Sequence, residues 1–328
     1  MSNKMKIKEF VYSNLFYAIA VVFIAVFGTI HPKFLASQNI VNIFAQSSVL
    51  ILVSIGMALA LITKGLDMSV GSIVFLCSST MWILNKNLNI GMAGMMLASL
   101  LVGLCAGALN GVIVSILRVY SLLPTLATMF MYRGIALIIN GGRHSPMPMF
   151  WGRIISLRVN SVPVHVLVAI GLTIIVQLLL NNTKIGRHIY ALGDSEKTAH
   201  EKGISAFKIR MLVYVISGLM CGIAAIVFSA QSMSVPPSSG QGMEFRCVIA
   251  VVLGGVSMFG GKGTVAPGVV VGALLMSLIS NVLVVLSAPP HMYIIVYALV
   301  ILFVVLLDTL KSRKSGLLNK AKIREVTK

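Results

Sequence analysis

Acidic side chains are scarce in this chain: Asp and Glu together number 8 among 328 residues. Carboxylates so few and so dispersed leave no pair placed for general acid–base chemistry. The 6 His residues are equally scattered. With no metal-ligand cluster and no nucleophile constellation, a membrane enzyme has little to stand on. Cysteine is also sparse. Cys77, Cys105, Cys221 and Cys247 lie in or beside apolar runs without CxxC spacing, so they read as small apolar packers and exclude a disulfide framework. Charge of either sign makes up only 10% of the chain against 58% hydrophobic residues, which rules out one soluble core. The composition is that of an all-α integral membrane protein, since only helices or closed barrels satisfy their backbone in lipid.

The 26 Lys and Arg give a formal net charge of +18. Most lie in short segments between apolar runs or in the tail from Lys311 to Lys328. There they orient the chain and meet anionic headgroups, and no nucleic-acid partner is implied. About ten apolar stretches are long enough to approach a helical crossing of roughly 20 residues. They run Phe10 to Ile30, Ile43 to Ile62, Val70 to Leu84, Ile90 to Leu117 and Leu122 to Ile139. The rest are Val162 to Leu180, Met211 to Ala230, Arg246 to Phe259, Val265 to Leu286 and Met292 to Asp308. The third and eighth are short. The first follows Lys4, Lys6 and Lys8 without a small-x-small cleavage site, so it reads as an uncleaved span. With a cytoplasmic amino end, the inner loops hold about 19 Lys and Arg and the outer loops about 6, which places both termini in the cytoplasm. Residues 1–328 form one transmembrane domain with a basic cytoplasmic tail at about 309–328.

Two Gly-rich interruptions divide the apolar runs. Lys64 to Ser72 reads KGLDMSVGS, with Asp67, Ser69 and Gly71 as candidates for a translocation path. An acid near membrane depth normally faces a partner, water or substrate. Asp67 has a plainer alternative as a local cap for the next helix, helped by Ser69. The second break, Gly254 to Gly263, reads GGVSMFGGKG, and Gly254, Gly255, Gly260 and Gly261 permit tight turns there. It is no phosphate loop, because Gly263 follows Lys262 where Ser or Thr is required. Both breaks precede Gly-rich spans carrying GALN or GALL, at a spacing of roughly 190 residues, which points to an internal duplication around a path. Glu244 and Arg246 precede the second break. Asn110 and Asn281, with Ser72, Ser79, Thr125 and Thr128, are further hydroxyl-rich or amide candidates. Each has the alternative of bonding its own helix backbone. Gly91, Gly94, Gly103, Gly107, Gly111, Gly268 and Gly272 read singly as close-packing positions.

Asn181 to Arg210, NNTKIGRHIYALGDSEKTAHEKGISAFKIR, is the one long hydrophilic stretch inside the apolar chain. Glu196 to Gly203 has the look of a short helix ended by a glycine cap, presented to a partner.

KGLDMSVGS, LPTLATMFMYRGIALIINGG from Leu123 to Gly142, KIGRHIYALGD from Lys184 to Asp194, and VIAVVLGGVSMFGGKGTVAPGVVVGALL from Val248 to Leu275 together resemble the membrane permease of ribose-type ABC sugar importers. The similarity runs from about residue 40 to about residue 308, with the motifs in the family's order. It implies an inner-membrane permease that takes a sugar or sugar-like solute from a periplasmic or surface-anchored binding protein. A second permease subunit, identical or homologous, completes the pore. ATP is bound and hydrolysed on a separate cytoplasmic ATPase, so this chain is expected to bind no cofactor. The resemblance makes 181–210 the ATPase-coupling loop, with Gly193, Asp194, Glu196, Ala199, Gly203 and Ile204 as its contact candidates. Ala199 and Ile204 would supply contact area, and Glu196 and Glu201 would meet basic partner residues. The chain departs from the family at Lys202-Gly203-Ile204 and at Arg246, where the family has an acid. The rival reading is a secondary transporter driven by an ion gradient, for which Asp67 is the one good ion site.

Overall fold

The computed structural model describes residues 36–306 except 118 and 290, together with 309. The expected first span, Phe10 to Ile30, and the basic tail beyond 309 lie outside those residues. The described chain is helical apart from four two-residue strands. Its helices are α1 Ser37–Ile62, α2 Val70–Leu88, α3 Gly91–Leu117, α4 Leu122–Asn140, α5 Arg153–Ser156 and α6 Val164–Asn182. They continue with α7 Lys184–Asp194, α8 Glu196–Glu201, α9 Ala206–Ser232, α10 Met243–Leu253 and α11 Gly268–Val285, followed by α12 His291–Leu306.

Six of these helices are long and apolar enough to cross a membrane: α1, α3, α4, α6, α9 and α11. The helix α2 has 19 residues, but Ser72, Ser78, Ser79, Thr80, Asn85, Lys86 and Asn87 dilute its hydropathy. The expected span from Arg246 to Phe259 is corrected by the structure. Its helix, α10, has only 11 residues, or about 16 Å at 1.5 Å per residue. That is half of a hydrocarbon core of roughly 30 Å. Val251 and Val252 are followed at once by the glycine turn, where Val256 N–H donates to the Val251 carbonyl at 3.2 Å and the helix stops.

The centre of the bundle is α1, with 89% of its most apolar window buried inside the protein. It packs against α6, α9, α10 and α11, while the most extensive helix–helix contact joins α3 to α9. Small residues make that contact possible, because helices in lipid associate through close backbone approach. A Cβ on Gly103 would collide with the Gly218 carbonyl oxygen, and one on Gly107 with that of Tyr214. Ser99 Oγ adds a bond of 2.7 Å to the Gly222 carbonyl. The packing role read for Gly103 and Gly107 is therefore what the structure displays. Gly268 and Gly272 pack the same way, against the backbones of Gly254 and Ala250.

At the end of α4, Gly141 takes φ +64° and Gly142 N–H returns to the Leu137 carbonyl at 3.0 Å. The chain then forms β1 Ser145–Pro146, β2 Arg158–Val159 and β3 Val162–Pro163. Strand β1 pairs with β4 Ser234–Val235, and β2 pairs with β3, both antiparallel.

Candidate functional site

Asp67 sits at the heart of the first break. The helix α1 ends where Lys64 adopts φ +60° and Gly65 N–H caps the Ala60 carbonyl at 2.8 Å. The chain then folds the carboxylate inward, fully buried. Asp67 Oδ1 accepts from Ser69 N–H at 3.1 Å and Ser69 Oγ at 2.6 Å. Its Oδ2 accepts from Ser217 Oγ on α9 at 2.9 Å. Asn110 Nδ2 on α3 donates to Ser69 Oγ at 2.7 Å, and Tyr132 OH on α4 donates to Asn110 Oδ1 at 3.1 Å. The network joins α3, α4, α9 and the first break, and every member is buried. Asp67, Ser69 and Asn110 thus form one cluster. It is an internal polar clasp, and the local-structure alternative for Asp67 describes its geometry. Asn281 is elsewhere, in a reciprocal amide pair with Asn39 at 3.0 Å in both directions. Thr125 and Thr128 bond backbone carbonyls. Ser72 and Ser79 hydroxyls are buried without a partner among the described residues.

The two breaks meet each other and the hydrophilic loop. Gly261 N–H donates to the Ile62 carbonyl at 2.9 Å. Gly193, near the end of α7, lies so close to both that a Cβ would strike the Ile62 oxygen and stand 2.7 Å from Gly261 N. Lys64 Nζ donates to the Asp194 carbonyl at 2.7 Å. Tyr190 OH donates to the Gly263 carbonyl at 2.7 Å, and burial pushes its phenol pKa up, which keeps the donor protonated. Behind the turn, Gln177 Oε1 on α6 accepts from Val265 N–H at 2.6 Å and Ala266 N–H at 3.0 Å. The helix α7 is built for this seat. Thr183 caps it through a bond from Gly186 N–H, and Gly186, Ile189, Leu192 and Gly193 form its buried stripe. The duplication suggested by the breaks fares less well. They are neighbours, but the first leads into α2 and only then into α3 with its GALN. The second leads straight into α11, which contains GALL.

Several coupling-loop residues face inward, contrary to the contact role expected of them. Ala199 is 1% exposed, on the buried side of α8, and Gly193 is buried against the breaks. The Glu196 carboxylate pairs with Arg210 of the same chain at 2.7 Å. The short helix itself is as read. Ser195 caps α8, Gly203 takes φ +74°, and Ile204 N–H closes on the Ala199 carbonyl at 2.9 Å. What faces outward is different: Phe207 is 47% and Ile185 40% exposed, among the exposed cations Lys184, Arg187, Lys197, Lys202 and Lys208.

Arg133 lies inside the apolar run from Leu122 to Ile139. Midway along α4, it reaches the irregular segment ahead of α10, donating from Nη2 to the Ser239 carbonyl at 3.2 Å and from Nη1 to that of Pro237 at 3.5 Å. Its guanidinium lies 5.5 Å from the Phe75 ring centroid. Gly71 and Gly240 touch backbone to backbone, with the Glu244 carboxylate beside Gly71. Nonhelical backbone at the level of a mid-span arginine is tolerated when protein encloses it. The signal was present, since a lone Arg in an apolar run demands acceptors.

The chain matches the family model described as "Branched-chain amino acid transport system / permease component" over residues 39–305. The autoinducer 2 import system permease protein LsrC of Yersinia pseudotuberculosis serotype O:1b (strain IP 31758) is 35% identical over 292 residues, 87% of this chain and 81% of the relative. Its namesake in Yersinia pestis (strain Pestoides F) is equally similar, at 35% over 292 residues. No solved structure matches. A polytopic helix bundle, a seated hydrophilic loop and a match across nearly all the described residues lead to one assignment: the chain belongs to this permease family, as the multi-pass inner-membrane transport subunit of an ABC importer.

Proposed function

We propose that this permease moves a sugar or sugar-like solute, handed over by an external binding protein and driven by a cytoplasmic ATPase that docks on the 181–210 loop. The observation that carries the reading is the junction of α7 with both breaks, which gives a docked motor a rigid route to the bundle interior. The full topology would have about ten crossings with both termini cytoplasmic. ATP would be held by the partner, and a second permease, identical or homologous, would complete the pore. The relatives import autoinducer 2, whereas the family description names branched-chain amino acids. A zwitterionic cargo needs fixed charges of both signs along its path, while a neutral polyol needs mainly hydroxyls and amides. The resemblance to ribose-type permeases favours the second.

Asp67 argues against the ion-driven rival. A coupling acid must meet water to load and release its ion, and this one is enclosed and held by three donors. In vesicles carrying the assembled importer, uptake of the autoinducer 2 named by the relatives is expected to need internal ATP and to survive Asp67→Asn. Asparagine keeps an acceptor for Ser69. Transport driven by an ion gradient without ATP, and lost in Asp67→Asn, would overturn the importer reading.

The docking face is proposed to be Phe207, Ile185 and the outward side of α8, with the surrounding cations meeting an acidic groove. A central apolar anchor contributes about 2 kcal/mol or more to an interface. Phe207→Asp should therefore cut ATPase co-purification by well over tenfold. Glu196→Gln, which removes an exposed ion pair of at most about 1 kcal/mol, should leave it nearly unchanged. Equal loss in both variants would reject the assignment.

A further inference from the structure

Of the contacts between α7, the second break and the first break, two kinds can be separated by what they tie. Tyr190 OH to the Gly263 carbonyl, at 2.7 Å, and the fit of Gly193 against Gly261 N bind α7 to the second break. Gly261 N–H to the Ile62 carbonyl at 2.9 Å and Lys64 Nζ to the Asp194 carbonyl at 2.7 Å bind that pair to the first break. The first set is a half-buried aromatic side chain and a backbone fit. The second is one backbone bond, one exposed lysine and the close fit of Gly193 against the Ile62 oxygen. The second break also has its own swivels, with Gly255, Gly260, Gly261 and Gly263 all at positive φ, a conformation open to glycine. Beside the junction lies a cavity of about 430 Å³ lined by Lys64, Tyr120, Met258, Phe259, Val305 and Thr309.

We propose that α7 and the Gly260–Gly261 turn form one latch that closes on Ile62–Lys64 and covers the adjoining cavity. Movement of α7 lifts the turn from the first break and leaves Asp67 and its clasp in place. Gly193, Tyr190 and Lys64 are then positioning residues for solute release. The inference rests on the reading that an ATPase drives α7, and deepens it by naming where the drive arrives. Two elements that meet through close backbone contacts are suited to two discrete positions, because packed interfaces are bistable and do not deform continuously.

Residues 64 and 260 are adjacent: a Cβ on Gly260 would lie 3.1 Å from Lys64 N and would meet Lys64 Cγ, so the γ position where a cysteine at 64 carries its sulfur lies beside residue 260. Lys64→Cys with Gly260→Cys, in a Cys105→Ser background because Cys105 is exposed, is placed in the assembled importer. Disulfide formation is followed by thiol-directed mass tagging. Without nucleotide the pair should oxidise readily. With ATP and vanadate its rate should fall about tenfold, as a shift from a mostly closed to a mostly open population requires. A control pair across the β1–β4 strands, Ser145→Cys with Val235→Cys, which are register partners, should not respond to nucleotide. An unchanged rate for the 64–260 pair in a complex that traps nucleotide would overturn the latch. A chain that neither holds an ATPase nor traps nucleotide would instead remove the importer reading, a separate failure visible before oxidation is measured. If the double variant does not assemble, Phe259→Cys alone reports the same motion. Its maleimide labelling should quicken with ATP and vanadate, and a constant rate would also overturn the latch.

Discussion

Gly218→Leu is expected to abolish the folded permease. A Cβ at that position meets the Gly103 carbonyl oxygen and stands 2.7 Å from Gly107 Cα, so the added side chain confronts backbone that has no alternative rotamer. Overpacking a core costs about 1–3 kcal/mol when side chains can yield. Here the α3–α9 contact must part along its length, and van der Waals approach is what holds helices together in lipid. The loss should exceed about 3 kcal/mol and remove the monodisperse peak in detergent size exclusion. Gly134→Leu is the matched control, since a Cβ at Gly134 would find nothing within 4 Å. Normal elution of Gly218→Leu would mean that α3 and α9 do not cross there.

Gly193→Ala is expected to separate assembly from transport. The methyl group meets the Ile62 oxygen and Gly261 N together, so α7 must withdraw from both breaks while α8 and its outward face remain. A penalty of about 1–3 kcal/mol on the joined state corresponds to a roughly fivefold or larger displacement of its population. ATP-driven uptake should fall by at least that factor, with ATPase co-purification intact. Gly203→Ala, where the Cβ has open space but φ is +74°, should cost only about 1 kcal/mol of loop stability and spare uptake. Full transport by Gly193→Ala would show that α7 needs no close seat.

The elements legible from sequence were those with a local signature. Apolar runs located α1, α3, α4, α6, α9, α11 and α12 because a crossing helix carries its length in its own composition. Gly203 announced the end of α8 because a left-handed cap favours glycine. Gly103 and Gly107 announced close packing singly, as small residues in an apolar run, but their partners Gly218 and Gly222 follow only from the fold. The short helix α10 escaped because Arg246 to Phe259 is nearly as apolar as a span. Its early stop depends on the glycine turn having somewhere to go, namely Ile62. Ala199 and Gly193 are contact candidates through the family resemblance, which marks a coupling loop without saying which of its residues face inward. Burial of single small residues in a polar loop depends on what lies beneath, and that is set by chain segments remote in sequence.

The enclosure of α1 carries a consequence for biogenesis. This helix, with a mean hydropathy of 2.1 and 89% of that window buried in protein, ends among the least lipid-exposed parts of the molecule. Its principal neighbours, α6, α9, α10 and α11, are all synthesised after it. During translation α1 must therefore enter the bilayer without these four neighbours and wait there until they emerge. Its greasiness serves that interval, and Ser47, Ser48 and Ser54, all fully buried at the end, are the polar groups a solitary helix has to carry through lipid. Ser47 and Ser48 bond carbonyls of their own turn, Phe44 and Ala45, a solution available before any other helix arrives.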